Sequence, residues 1–291
     1  MDWQKGSEWK MFDAGLILEG GGMRGVYTAG VLDFFLDKGL WFKSCYAVSA
    51  GAGHACSYLA RQRGRAFAVN VDYLGDKRYM GVSSLLKTGD LFGADMLYRI
   101  IPEELYPIDY KAFAENESRL YAAVTNCETG QAEYIPIRDL KTDLIYVRAS
   151  ASLPMVSRMV EAGGNKYLDG GVSDSIPIKK SIADGNRKNV LVLTRDGSYR
   201  KQPGAMAALI RAKYRKYPAL VEQIERRYLH YNEALDFIKQ EEARGRAFVI
   251  RPRKPVDISR TEKNKEKLRT LYEEGYSDAE KAHGPLMEFL G

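Results

Sequence analysis

Short apolar runs alternate with longer stretches of helical period along the chain. Leu16–Glu19 reads as a buried strand that leads directly into Gly20-Gly21-Gly22-Met23-Arg24-Gly25. Val31, Phe34 and Phe35 then follow an i, i+3, i+4 spacing, with Asp33, Asp37 and Lys38 among them and Gly39 beyond. That pattern predicts an amphipathic helix over roughly 26–38, closed by a glycine. A second buried strand, about Ser44–Val48, enters Ser49-Ala50-Gly51-Ala52-Gly53 and a helix to about Gln62. Residues 70–118 predict mostly helix, with loops at Gly75, Gly81, Gly89 and Pro102. Arg119–Asn126 and Ala132–Ile137 flank Glu128-Thr129-Gly130, a hairpin signal. Leu144–Val147, Lys188–Thr194 and Ala247–Arg251 read as further strands. Strands alternating with helices over this length predict a mostly parallel sheet covered on both faces.

From Pro203 to Gly245 the pattern is a long helical stretch, with Leu220, Ile224, Tyr228, Tyr231, Leu235 and Ile238 on one stripe. Arg211, Lys213, Arg215, Lys216, Arg226 and Arg227 cluster in its first part. Such a stripe ordinarily packs on a core while the charges are solvated; the rarer alternative is a basic face lying on an anionic membrane. A late helix near Lys265–Tyr272 reads as plain packing.

The 291 residues show no repeat and no low-complexity linker, so they read as a single domain, 1–291, with a helical C-terminal portion about 203–291. No apolar run approaches the roughly 18 residues of a membrane span. The N-terminal MDWQKGSEWKMFDAG lacks the apolar core of a secretory signal. Cys45, Cys56 and Cys127 have no CxxC spacing and read as reduced thiols. A cytoplasmic location follows as the expectation, with peripheral contact at the inner membrane face allowed. The net charge of +6 suits an anionic substrate, a lipid surface or RNA, but charge of that size more often serves solubility alone.

The candidate chemistry begins at the glycine loop. Gly20, Gly22 and Gly25 spell GxGxxG between a strand and a helix, which presents bare backbone N–H groups to an anion. A dinucleotide fingerprint would also need an acid about 20 residues on, at the end of the second strand. Ser49 stands there instead. A serine between a buried strand and a helix, with Ala47 and Gly51 two positions away, has the pattern of a nucleophile elbow, AxSxG. Alone, it reads equally well as a helix N-cap.

A serine nucleophile needs a base. Of the three histidines, His54 lies inside the elbow helix on a face expected to point away, and His230 and His283 sit in polar helical stretches. No Ser-His-Asp triad emerges. Asp169, in Tyr167-Leu168-Asp169-Gly170-Gly171, would alone be read as a turn residue. Beside an unpaired elbow serine it becomes the candidate base, provided burial raises its basicity. The loop Gly20–Gly25 would then hold a transient oxyanion with its N–H groups, with the Arg24 charge nearby.

Together these pieces resemble the patatin-like phospholipase family of serine lipid acyl hydrolases. Its oxyanion loop GGGxRG matches Gly20-Gly21-Gly22-Met23-Arg24-Gly25, and its GxSxG matches Ala47–Gly51 except at the first glycine. Its DGG matches Asp169-Gly170-Gly171, and an intervening A-S-x-x-x-P block matches Ala149–Pro154. KTGDLFGADMLYRIIPEELYPID and AFVIRP…LRTLYEEGY are similar to a bacterial branch, which extends the likeness over nearly the whole chain. The resemblance implies a three-layer α/β/α fold, a Ser-Asp dyad without histidine, and no metal or other cofactor. It implies a lipid acyl ester as partner and no nucleic acid, and it specifies no oligomeric state. Walls for the acyl pocket are expected from 70–118 and from the late helices. The methyl of Ala47 at the elbow is expected to be tolerated. The alternatives are a catalytically weak lipid-binding protein, a nucleotide binder using the GxGxxG loop, and an acyltransferase with the same dyad.

Overall fold

The computed structural model describes residues 9–291. The first eight residues, on which part of the non-secretory reading rests, lie outside the described residues. Strand β1 (Lys10–Leu18) passes through the glycine loop and a short 3-10 turn into helix α1 (Val26–Asp37). Strand β2 (Leu40–Val48) enters α2 (Ala50–Leu59) through Ser49. The region expected to be mostly helix is a set of short pieces: α3 (Arg65–Val71), α4 (Val82–Thr88), a π-helix (Met96–Leu105) and α5 (Tyr110–Ala114). Pro102 sits inside the π-helix; it has no N–H to give to an intrahelical ladder.

The predicted hairpin is β3 (Arg119–Asn126) with β4 (Ala132–Ile137), antiparallel. Leu144–Val147 is not a strand: it lies within α6 (Leu140–Ser150), which Asp139 caps by accepting the Lys141 N–H. A short apolar run cannot by itself tell a buried strand from a helix, and here the cap and the helix length decide. A second hairpin, β5 (Val160–Ala162) with β6 (Asn165–Asp169), turns on Gly163 and Gly164, both at positive φ. Then follow α7 (Ile178–Ala183), β7 (Asn189–Val192), α8 (Ala207–Lys213), α9 (Pro218–Ala243), β8 (Ala247–Ile250) and α10 (Lys265–Leu290). The stretch read as one long helix therefore breaks before Pro218, which occupies the first turn of α9, where a missing N–H costs nothing.

The eight strands of the described residues form one sheet in the order β5-β6-β3-β2-β1-β7-β8, with β4 also paired to β3. The pairs of β1 with β2, β1 with β7, β2 with β3 and β7 with β8 are parallel. Alternation along each strand assigns its two faces. Leu16, Leu18, Ala47 and Val192 join the core with α1, α2 and α10. Ile17, Tyr46, Leu191 and Leu193 face Ile178 of α7 and Tyr231, Leu235 and Ile238 of α9. The result is a three-layer α/β/α arrangement. The stripe of α9 thus packs on the sheet, the more ordinary of the two readings. All three cysteines are buried and unpaired. Among the described residues no helix is long and apolar enough to cross a membrane.

Helix α1, expected to be amphipathic, is buried on nearly every side, Asp33 included. The reason is α10, which is far longer than predicted and lies across it. Gly30 meets the Tyr272 backbone and Gly275 meets the Tyr27 backbone, so the two helices touch main chain to main chain. Asp33 is satisfied there by the Tyr272 hydroxyl at 2.7 Å and the Gly64 N–H at 3.0 Å. A methyl at Gly275 would strike the Tyr27 carbonyl. Gly275→Ala is expected to destabilise the fold by about 1–3 kcal/mol, read as a lowered midpoint of chemical denaturation; an unchanged midpoint would contradict the close crossing.

Candidate active site

One strand places both candidate residues. Ala123 of β3 pairs with Val48 of β2, and the next residue, Val124, pairs with Asp169 of β6. Strand β4 occupies the opposite edge of β3 along this length. Strands β2 and β6 therefore follow one another along a single edge of β3. Ser49, just beyond Val48, and Asp169, the last residue of β6, leave the sheet side by side.

Ser49 has φ 56° and ψ −126°, a conformation that side-chain-bearing residues rarely adopt and that costs of order 1–3 kcal/mol. Its surroundings hold it there. The Ser49 N–H donates to Ser150 Oγ at 2.8 Å, and its carbonyl accepts from the Ala52 N–H at 3.0 Å. A Cβ at Gly51 would sit 2.8 Å from the Leu18 carbonyl oxygen and 3.0 Å from that of Glu19. Glycine is thus required at the second small position of the elbow. Ala47, at the first, lies in regular pairing between Leu18 and Ala122, with its methyl absorbed in the core.

Asp169 is 1% exposed. Its N–H donates to the Ser152 carbonyl at 2.8 Å, its carbonyl accepts from Thr125 Oγ1 at 2.8 Å, and Oδ1 accepts the Gly171 N–H at 2.7 Å. Oδ2 is buried and has no hydrogen-bond partner among the described residues. Burial raises the carboxyl pKa above its ordinary value; the Arg227 charge, the nearby Ser49 hydroxyl and the Gly171 N–H pull the other way, less strongly. Ser49 and Asp169 line the same polar cavity.

Glu19 anchors the start of the glycine loop. Its Oε2 accepts from the Thr194 N–H at 2.6 Å and hydroxyl at 3.0 Å, and its Oε1 from the Tyr231 hydroxyl at 2.7 Å. Beyond it the segment joining β8 to α10 lies over the loop like a strap. Met23 donates its N–H to the Arg260 carbonyl at 3.2 Å, and Arg24 Nη1 donates to the Ile258 carbonyl at 3.3 Å. Gly22, at φ 58°, has no side chain to keep the Arg260 backbone away.

The six loop residues therefore differ in what they can offer. The N–H groups of Gly20, Gly21 and Gly22 donate to no other atom of the described residues, and all three residues line a pocket with Ser49. Met23 has its N–H engaged. Arg24 is buried, with its pKa lowered to about 10 mainly by burial. Gly25 packs against the His54 ring and Ala50.

His54 does not point away, as expected, but lines the same cavity as Ser49. It is bonded to Asn70 Nδ2 at 3.1 Å rather than to Ser49, and burial pushes its pKa down to about 4. His283 sits edge-on to Phe34 at 5.5 Å, and His230 borders neither cavity at Ser49.

Two cavities meet at Ser49, Gly22 and Leu153. The larger, of about 140 Å³, is mainly apolar and walled by Val69, Phe92, Leu97, Ile108, Leu144 and Val147. Its walls come from α2, α3, the π-helix and its flanks, and α6. The late helices, expected to contribute, do not reach it. They border the smaller polar cavity of about 30 Å³ instead, through Arg227 and Tyr231, joined by Lys201 and Arg260. Sequence reasoning missed these residues, together with the anchoring role of Glu19 and the pin supplied by Ser150. Ser150 did lie in a recognised block. Arg227 lay in a basic run that reads as solvated, and nothing local marks Lys201 or Arg260.

Removing the Ser150 hydroxyl leaves the buried Ser49 N–H without its acceptor. Ser150→Ala is expected to lower stability by about 1–3 kcal/mol, measured by denaturant titration; no loss would mean that the elbow does not depend on this bond.

The sequence model of a family described as patatin-like phospholipase matches residues 16–181, and that of a domain of unknown function (DUF6363) matches residues 217–291. The chain is 28% identical over 250 residues to the uncharacterized protein YjjU of Escherichia coli (strain K12), covering 83% of this chain and 69% of that one. It is 25% identical over 197 residues to the probable lipid hydrolase 463L of Invertebrate iridescent virus 6, covering 60% of this chain and 65% of the viral one. Among solved structures, VipD from Legionella pneumophila aligns with a TM-score of 0.44 at 13% identity, over 92% of this chain and 66% of that chain. The chain thus spans about two thirds of the length of each of these proteins.

Proposed function

The chain belongs to the patatin-like phospholipase family, and on that premise we propose that it is a serine lipid acyl hydrolase with Ser49 as nucleophile and Asp169 as general base. The observation that carries the reading is the buried, unpartnered Oδ2 of Asp169 beside a serine held at a strained elbow. A carboxylate so placed lacks a proton donor, and the Ser49 hydroxyl is a proton donor within its neighbourhood. Burial raises its basicity in the direction a base requires.

Ser49 Oγ attacks the acyl carbonyl and its proton passes to Asp169. The carbonyl oxygen gains negative charge, which the Gly21 and Gly22 N–H groups hold, with Gly20 adjacent. The C–O bond to the alcohol breaks, and the departing oxygen takes the proton from Asp169. Water then attacks the acyl-enzyme and gives its proton to Asp169. The Ser49–acyl bond breaks, the fatty acid leaves, and the proton returns to Ser49. The apolar cavity receives the acyl chain. We read residues 9–291 as one functional unit, because the strap over the glycine loop comes from the C-terminal region. The viral relative's description as a probable lipid hydrolase is consistent with this assignment.

The test is fatty acid release from p-nitrophenyl esters and phospholipids. Folded Ser49→Ala and Asp169→Asn are each expected to lose at least about 10³-fold in kcat. Retained activity in Ser49→Ala would sink the assignment, and liposome binding by the wild type without turnover would replace it with a binding function. The pH profile has a defined sign. Asp169 must be unprotonated to act, so kcat/KM is full above its raised pKa and falls as pH drops through it. The acid limb is expected above the ordinary carboxyl value of 3.8.

A further inference from the structure

The polar cavity beside Ser49 carries a charge that ester hydrolysis does not use. Arg24, Lys201, Arg227 and Arg260 all line it. They arrive from four places: the glycine loop, the segment after β7, helix α9 and the strap between β8 and α10. Three of the four lie outside the part of the chain that matches the hydrolase family, residues 16–181. Against them stand Glu19 and Asp169. Glu19 already accepts from both Thr194 donors and from Tyr231, and Asp169 belongs to the dyad. Among the described residues none of the four cations makes an ion pair within 4.0 Å, although charged side chains elsewhere on α9 and on the strap do.

The guanidinium groups are also short of acceptors. Nε of Arg24 and Nε of Arg227 are buried and have no hydrogen-bond partner among the described residues. Lys201 stacks its ammonium over the Tyr231 ring at 4.5 Å. Burial and the charges of Arg227, Arg260 and Arg24 bring its pKa down to about 7. An anion seated among these groups would supply the missing acceptors and relieve the mutual repulsion.

Resting on the hydrolase reading above, we propose that this cavity binds the phosphoryl group of the substrate and selects anionic over zwitterionic head groups. Guanidinium forks suit the several oxygens of a phosphoryl group. A quaternary ammonium would instead want an aromatic face or a carboxylate. Here the Tyr231 face is covered by Lys201 and the Glu19 oxygens are occupied. A phosphomonoester head therefore fits this cavity better than a choline phosphodiester. Ser49 borders both cavities, so a chain in one and a phosphoryl group in the other place the ester between them.

The experiment compares three monoacyl lipids of one chain length: a phosphomonoester, a choline phosphodiester and an uncharged glyceride. Wild-type kcat/KM is expected to rank them in that order. Lys201→Gln and Arg260→Gln are expected to lower the ratio of phosphomonoester to glyceride by about tenfold or more, the loss of one charge-assisted contact. In parallel, calorimetry on Ser49→Ala measures binding of inorganic phosphate and of each lipid. Tighter binding of the phosphomonoester than of the glyceride, weakened by either substitution in the same background, supports the proposal. Binding of inorganic phosphate with equal turnover of all three esters would mean a free-phosphate site and overturn the head-group assignment. No preference in either arm would overturn the proposal entirely, while hydrolysis of the glyceride would leave the Ser49–Asp169 reading standing. If the wild type hydrolyses none of the lipids, the dyad reading falls, and the binding arm still decides the cavity.

Discussion

The site depends on the way one edge of β3 is shared. Strand β2 pairs along it in parallel to Ala123, and β6 takes over in the antiparallel sense from Val124. The handover happens where β2 must leave the sheet to form the elbow. A one-residue slip of either strand would turn its side chains to the other face of the sheet. The register is secured by small residues at the junction: Gly170 lies directly against the Ala123 carbonyl, and Ala47 and Ala122 face each other across the ladder. Close backbone contact, rather than any side-chain pair, brings the serine and the aspartate together.

Around that junction the structure accepts several unfavourable features at once. Among the described residues Ser49 is strained, Asp169 keeps an unpartnered buried oxygen, and four cations gather without an ion pair. Each is costly alone, and their clustering is typical of a functional site. The stabilising contacts lie further out. They include the broad aliphatic and aromatic cores on both faces of the sheet, the Glu19 anchor and the close crossing of α1 with α10. The two cavities divide the work by polarity. Helices from the middle of the chain wall the apolar one, and the C-terminal third supplies most of the charge in the other.

Much of this was legible residue by residue. The alternation of buried strands and helices implied the parallel sheet, and Gly20–Gly25 and Ser49 stood out as small-residue turns between strand and helix, whereas Asp169 became a candidate only because Ser49 had no histidine to pair with. Leu144–Val147 is apolar enough for a strand but sits in a capped helix. Helix α1 has an amphipathic pattern but is covered by a distant helix. His54 faces the cavity although its position along α2 suggested otherwise. For α1 and His54 the deciding neighbours are remote in sequence, whereas for Leu144–Val147 the nearby Asp139 cap decides.

The sequence by itself determined the local devices: a glycine loop with bare N–H groups, a serine on a tight turn, an aspartate before two glycines, and a mostly parallel sheet covered on both faces. These are set by φ/ψ preference, side-chain size and hydrophobic period, which act over a few residues. Only the tertiary structure decided which groups meet. It placed Asp169 beside Ser49, laid the Arg260 strap over the glycine loop, and brought Arg24, Lys201, Arg227 and Arg260 to one cavity. Strand register and helix crossing depend on packing between distant segments, and Coulomb interaction depends on separation in space, so neither leaves a local pattern in the chain.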